Sequence, residues 1–180
     1  METWIQTDQK YSGNILSLRV GTVRLDDGNL AKREVVDHPG GAAVVPLDGD
    51  EVLLVRQFRV SIGKEVIELP AGRLHEREKP EACAARELEE ELGYRADQLV
   101  LAASYYSSVG FTNERMYIYL AFGLKETTRK PEADERIVMV RMPIISIKKG
   151  LAENGFDDAK TLIGLHSLMC YLKEHGHAAT

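Results

Sequence analysis

A mixed β-sheet enclosed by helices, an α/β architecture, is the fold class that this 180-residue sequence predicts. Three observations lead to it. Several short segments of strand-like patterning precede and surround one early amphipathic helix, and a second amphipathic helix closes the chain. No repeat, low-complexity tract or linker interrupts them. With 44% apolar residues and no excess of Gly or Pro, the chain has the material for one core.

Residues 15–25 alternate apolar with polar side chains and end at Asp26-Asp27-Gly28, a hairpin signal leading into a strand over 30–36. A second hairpin joins residues 42–47 and 52–58 through Asp48-Gly49-Asp50. Residues 66–71 are strand-like, and Gly72 is expected to close that strand in a tight turn opening a loop. Residues 80–92 then predict a helix. Pro80 suits its first turn, Glu81 complements the positive helix end, and Gly93 stops it. At about 100° per residue, Ala84, Ala85, Leu88 and Leu92 form the apolar stripe. Glu87, Glu90 and Glu91 fall on an adjacent arc, expected to be solvent-accessible. Strands are predicted over 99–106, 116–122 and 137–142. Asp157 or Asp158 caps a final helix that turns Leu162, Leu165, Leu168, Met169 and Leu172 inward.

A net charge of −5 and a pI near 5.6 argue against a broad nucleic-acid footprint. No apolar run approaches the roughly 18 residues of a membrane span, and residues 1–10 lack a signal-peptide core. A cytoplasmic location without membrane partners is the expectation. Cys83 and Cys170 have no His or Cys at ligand spacing, which predicts reduced thiols rather than a disulfide or a zinc site.

The chemistry concentrates in residues 72–94. Glu87 and Glu91 stand one helical turn apart, where their mutual repulsion calls for solvent or a cation. Oxygen-only ligands suit Mg²⁺ or Mn²⁺ rather than zinc. Arg86 is placed to pair with Glu90, fixing one carboxylate while the others remain available. A Glu-rich run is often only a solvated face. The flanking Gly72, Glu78, Arg86 and Gly93 decide against that reading.

Gly72, five residues, Glu78, seven residues, then Arg86-Glu87-Leu88, one residue, Glu90-Glu91, one residue, Gly93-Tyr94 resembles the Nudix box at every specified position. Such a match arises by accident on the order of once in a million chains of this length. Similarity to Nudix proteins extends over residues 33–145. It is greatest to the branch of ADP-ribose pyrophosphatases and nucleoside-diphosphate-sugar hydrolases, through Val55-Arg56-Gln57-Phe58-Arg59, Ile67-Glu68-Leu69-Pro70-Ala71-Gly72 and Ser108-Val109-Gly110-Phe111-Thr112-Asn113-Glu114.

That resemblance implies an α/β/α sandwich over residues 37–180, with residues 1–36 forming an N-terminal β-layer used in homodimerisation. It implies Mg²⁺, replaceable by Mn²⁺, held by Glu87, Glu91 and the Ala71 carbonyl, with Glu90 a supporting ligand or base. In the acidic loop 131–136, Glu135 aligns best as the catalytic base; Glu135 as a metal ligand leaves Glu132 as base, and Glu114 competes with both. Arg59 and Arg56 are candidates for phosphate contacts, Arg33 and Glu34 for nucleotide contacts across the dimer, and Glu68 and Glu114 for substrate contacts. Gly72, Glu78, Arg86 and Gly93 shape the motif. Trp4 is either a nucleobase-stacking residue or an interface residue. Val109 stands where the ADP-ribose enzymes usually have proline, which widens the expected substrate to ADP-ribose or related nucleoside diphosphate sugars, with GDP-mannose as the alternative. A nucleoside monophosphate and a sugar phosphate would be the products. A catalytically silent nucleotide-sugar-binding regulator is the reading from another class; eroded box carboxylates would mark it, and these are intact.

Overall fold

The computed structural model describes residues 1–130 and 136–175. These form two compact units, Met1–Gly40 with Tyr105–Arg115, and Gly41–Ser104 with Met116–Thr180.

In the first unit, β1 (Thr3–Ser12), β2 (Ser17–Arg24) and β3 (Leu30–Asp37) make an antiparallel sheet in sequence order. The β2–β3 turn forms where Asp26-Asp27-Gly28 predicts it. Gly28 has φ 85°, and the Asp27 carboxylate accepts from the Asn29 backbone N–H at 2.9 Å and its side-chain amide at 2.8 Å. Strand β1 lies within the expected N-terminal β-layer, though no local pattern marks it as a strand. It is exposed along its whole length, so only its ladder with β2 holds it extended. The segment 107–115 joins this unit through Val36 N–H to the Phe111 carbonyl at 2.8 Å and His38 N–H to Asn113 Oδ1 at 2.9 Å.

The second unit is built on a mixed sheet in the order β10-β5-β4-β9-β8, formed by β4 (Gly41–Asp48), β5 (Glu51–Arg59), β8 (Tyr94–Tyr106), β9 (Arg115–Glu126) and β10 (Val138–Pro143). Two short strands attach to it, β6 (Lys64–Glu68) on β5 and β7 (Ala71–Arg73) on β4. β4 runs parallel to β9 and antiparallel to β5 and β7.

Strand alternation sends the side chains of β4 to both faces, and both are covered, so the strand is apolar from Gly41 to Leu47 and ends at Asp48 beside the turn. Ala42, Val44, Leu53, Val55, Tyr119 and Ala121 pack with Cys83, Ala84, Leu88 and Leu92 of the first helical segment. On the other face Val45 and Ile118 meet the last helix, α3 (Ala159–Glu174), at Gly164. A Cβ at Gly164 would come within 2.5 Å of Leu69 Cδ1 and 3.0 Å of Val45 Cγ2, so glycine permits this close approach. The result is the α/β/α sandwich. Truncating fully buried Leu88 to Ala should cost about 3 kcal/mol.

Three details depart from the expectations. The early helix is α-helical only over α1 (Pro80–Glu87), and Leu88–Leu92 is a π-helical turn ended by Gly93 at φ 76°. The wider turn breaks the 100° wheel there. Ala85 is exposed, and Cys83 takes its place in the core. A nine-residue helix, α2 (Ile144–Ala152), follows Pro143 and buries only Ile147 completely, too little apolar patterning to be visible in sequence. In α3 the cap is Asp158, whose carboxylate accepts from Thr161 N–H at 3.0 Å; Leu165, Leu168 and Leu172 are buried, while Leu162 and Met169 are half-buried. No helix among the described residues is long and apolar enough to cross a membrane.

Candidate active site

Gly72 does not close a strand in a turn. It sits inside β7, opposite Ala42 of β4, and its φ is not in the left-handed region. Its lack of a side chain matters for another reason: a Cβ there would occupy the place of the Glu87 carboxylate, which would have to move. The neighbouring Ala71 N–H donates to Glu91 Oε2 at 3.0 Å. Strand β7 therefore lies against the acidic helix and covers it. Glu87 and Glu91 are only 6% and 2% exposed, so two residues of the expected accessible arc are buried, while Glu90 stays partly exposed.

Arg86 organises the rest of the box. Its Nε donates to Glu78 Oε1 at 2.9 Å, and its Nη1 donates to Glu87 Oε1 at 2.5 Å and Glu90 Oε2 at 2.9 Å. The expected pairing with Glu90 is present, but Glu87 is held as well. Glu78 also accepts from the His75 N–H at 2.9 Å, which closes the loop before α1. The Arg86 hydrogen bonds, opposed by burial and helped by His75, press the Glu78 carboxyl down to about 2. They raise Arg86 in turn, with Glu78 the largest cause. Beside it, burial pushes the Cys83 thiol up to about 12.

Glu78, Glu87 and Glu90 all accept from the Arg86 guanidinium, and Glu91 stands beside them on the Ala71 N–H, so carboxylates outnumber that guanidinium in the box, and two of them, Glu87 and Glu91, are buried. Hard oxygen donors with excess negative charge fit Mg²⁺ or Mn²⁺, and the Glu87 carboxylate lies beside the Ala71–Gly72 backbone, in the space a Cβ at Gly72 would take. The described residues hold no ready-made group of three or more His, Cys, Asp and Glu at metal-binding geometry.

A second cluster lies at the ends of β5 and β6. Arg59 grips Glu68 through two parallel hydrogen bonds, Nε to Oε1 at 2.6 Å and Nη2 to Oε2 at 2.8 Å. Lys160 of α3 also donates to Glu68 Oε2, and it pairs with Asp158 at 3.0 Å. Burial works against ionisation of Glu68, yet Arg59 and Lys160 outweigh it and hold the carboxyl below its usual range. Arg59 is raised, first by Glu68 and to a lesser extent by the charges of Asp158 and Glu91, so the two clusters feel each other. Arg59, Ser61, Glu68, Asp157 and Lys160 line a cavity of about 370 Å³. Arg56 lies outside this arrangement, paired with Glu65 at 3.8 Å on the surface. Lys160 escaped the sequence reading, because a lysine 92 residues from Glu68 leaves no local pattern.

The structure thus brings Arg59, Glu68, Ala71, Gly72, Glu78, Arg86, Glu87, Glu90, Glu91 and Gly93 into the second unit. Arg33, Glu34 and Glu114 belong to the first. Arg33 donates to Glu2 through Nε at 2.9 Å, and Glu34 is exposed on β3. Glu114 approaches His38 at 3.4 Å. Trp4 lies under the Arg19 guanidinium at 5.7 Å, and Val109 is exposed. Glu132 and Glu135 lie outside the described residues. The chain on either side of them is tied down: Lys130 N–H donates to the Glu90 carbonyl at 3.1 Å, Thr127 N–H to the Gly93 carbonyl at 2.7 Å, and Arg129 Nη2 to the Ile137 carbonyl at 2.8 Å.

An α/β/α sandwich with this glutamate box on a strand–loop–helix defines a hydrolase class, and the chain belongs to it: the NUDIX domain family model matches residues 37–163. It is 36% identical over 176 residues to the ADP-ribose pyrophosphatase of Bacillus subtilis (strain 168), covering 96% of this chain and 94% of that protein. It is 35% identical over 170 residues to the methanol dehydrogenase activator of Bacillus methanolicus, covering 93% and 92%. The solved structure of an ADP compounds hydrolase superposes with a TM-score of 0.87 at 19% identity, over 98% of this chain and 97% of that one, which establishes the shared fold.

Proposed function

We propose that this chain hydrolyses the pyrophosphate bond of ADP-ribose or a related nucleoside diphosphate sugar, releasing a nucleoside monophosphate and a sugar phosphate. The observation that supports this most is the buried pair Glu87 and Glu91, packed against the Ala71–Gly72 backbone with a surplus of negative charge. A pyrophosphate ester bears about two negative charges near neutral pH, and carboxylates alone would repel it. A divalent cation, when bound, neutralises phosphate oxygens and activates water at neutral pH. Glu87, Glu91 and the Ala71 carbonyl would hold it, with Glu90 in support, and Mg²⁺ is the ion proposed, replaceable by Mn²⁺.

Arg59 offers the substrate its remaining Nη1 donors, since Nε and Nη2 are committed to Glu68. Arg56 is the weaker candidate, being exposed and loosely paired. Glu135 is proposed as the base that takes the proton from attacking water, with Glu132 and Glu114 as competitors. Among Glu135→Gln, Glu132→Gln and Glu114→Gln, the largest fall in kcat should then come from Glu135→Gln. Residues 1–36 are proposed as the homodimerisation layer, with Arg33 and Glu34 reaching a neighbouring subunit's nucleotide, and the enzyme as cytoplasmic.

The deciding experiment incubates ADP-ribose, GDP-mannose, ADP-glucose and UDP-glucose with the protein and Mg²⁺, then with excess chelator, and quantifies monophosphate products. Product from ADP-ribose that vanishes with chelator is expected. Product from GDP-mannose alone shifts the substrate. Binding of a nucleotide sugar without any product would replace the hydrolase by a regulator.

A further inference from the structure

The Arg59–Glu68 pair does not stand alone. Glu68 is 3% exposed at its side chain, Lys160 15%, and Arg59 41%, so the carboxylate is the buried centre and the guanidinium the face turned to solvent. Both cations converge on Oε2 of Glu68. Lys160 is itself fixed. Its neighbour Asp158 caps α3 through Thr161 N–H at 3.0 Å and Thr161 Oγ1 at 2.6 Å, and a second Asp158 oxygen takes Lys160 at 3.0 Å. Thr161 Oγ1 in turn accepts the Leu69 N–H at 2.9 Å. The first turn of α3 therefore holds two consecutive residues, Glu68 by side chain and Leu69 by backbone, just ahead of the Ala71–Gly72 segment.

We infer that Lys160 is a positioning residue for the proposed reaction: by pinning the Glu68 carboxylate it sets the plane, and hence the outward direction, of the Arg59 guanidinium. The physical step is simple. Two parallel hydrogen bonds make guanidinium and carboxylate coplanar, so whatever fixes the carboxylate's rotation fixes that of the arginine. Removing Lys160 leaves Glu68 held by Arg59 alone. The carboxylate then keeps its packing but loses one of its two cationic anchors, and the aim of the Nη1 donors loosens. Lys160 also keeps a second positive charge on Glu68, so that Arg59 is not fully consumed by its own partner. Asp158 takes part of that charge, which is why the argument rests on orientation.

This inference rests on the reading that Arg59 meets the substrate phosphates, and its test separates the two. Full-length Lys160→Met, the milder Lys160→Gln, and Lys160→Arg are labelled with ¹⁵N-arginine, and the Arg59 Nε–H resonance, assigned through Arg59→Lys, is compared with the unaltered protein. Steady-state kinetics on the nucleoside diphosphate sugar turned over in the screen accompany it. In Lys160→Met and Lys160→Gln the Arg59 resonance should move and exchange faster with solvent. KM should rise about 3- to 10-fold, the size expected for one misaimed hydrogen bond, with kcat within about twofold. Lys160→Arg should restore both, and a purely structural role would shift the melting temperature without this KM-selective change. An unmoved Arg59 resonance in both variants overturns the inference, as does a moved resonance with unchanged KM. Should the unaltered protein turn over no nucleoside diphosphate sugar, the proposed function falls, while the resonance still decides whether Lys160 orients Arg59.

Discussion

Two ion clusters in the second unit are inverses of each other. In the glutamate box one guanidinium, Arg86, is surrounded by Glu78, Glu87 and Glu90, with Glu91 nearby on the Ala71 N–H. At the end of β6 one carboxylate, Glu68, is shared by two cations. Burial makes an uncompensated charge expensive, so the acidic excess of the box points to what would relieve it. In the Glu68 cluster, by contrast, Asp158 balances Lys160 and leaves only the exposed Arg59 face turned outward. The box calls for cations, the Glu68 cluster tolerates an anion at its exposed arginine. A diphosphate escorted by divalent metal presents both. The influence of Glu91 on Arg59 indicates that the two clusters share one electrostatic neighbourhood.

The largest expected effect breaks the box. Glu91→Gln keeps an oxygen for the Ala71 N–H but deletes one charge, so kcat should fall by at least about 10²-fold while the melting temperature moves little. Near-normal kcat would remove Glu91 from the metal assignment. Next comes the organiser. Arg86→Met strands several carboxylates and should destabilise by roughly 3 kcal/mol in denaturant titrations. Added Mg²⁺ should recover more stability in that variant than in the unaltered protein; equal Mg²⁺ effects would mean that the box does not trap cations.

A smaller effect concerns acid. Because the folded Glu78 carboxyl is depressed from 4.5 to about 2, its stabilising contribution is complete above the unfolded value and is lost as pH falls through that window. Glu78→Gln should therefore be less stable than the unaltered protein by about 2 kcal/mol at pH 6, the gap closing between pH 4.5 and 2. A gap independent of pH would exclude the ion pair as its source. Least perturbing is thiol labelling. Cys170 is exposed and should react within minutes with an aromatic disulfide, while buried Cys83, raised to about 12, should wait for unfolding.

What the sequence made legible is whatever repeats locally. Pro80 and Gly93 bracket a helical segment as their backbone preferences require, and Asp158 caps α3. Arg86 and Glu90 meet at i,i+4 despite the π turn. Besides α2, further features were not legible. The π turn over Leu88–Leu92 leaves no mark in the local composition. Strand β1 is polar and exposed, held by its ladder. Gly72 was read as a turn because glycine has two uses, conformational freedom and absence of bulk, and only the position of Glu87 tells them apart. Lys160 and Thr161 act across 92 residues, beyond any periodicity.

That last separation has a consequence in time. A chain emerging from synthesis completes the glutamate box well before residue 160 exists, yet Glu68 and Leu69 find their partners only when the first turn of α3 arrives. Contacts of such long sequence separation close a large loop and so form late. A nascent chain that already contains every residue of the box therefore still lacks the contacts that hold Glu68 and Leu69, just ahead of Ala71.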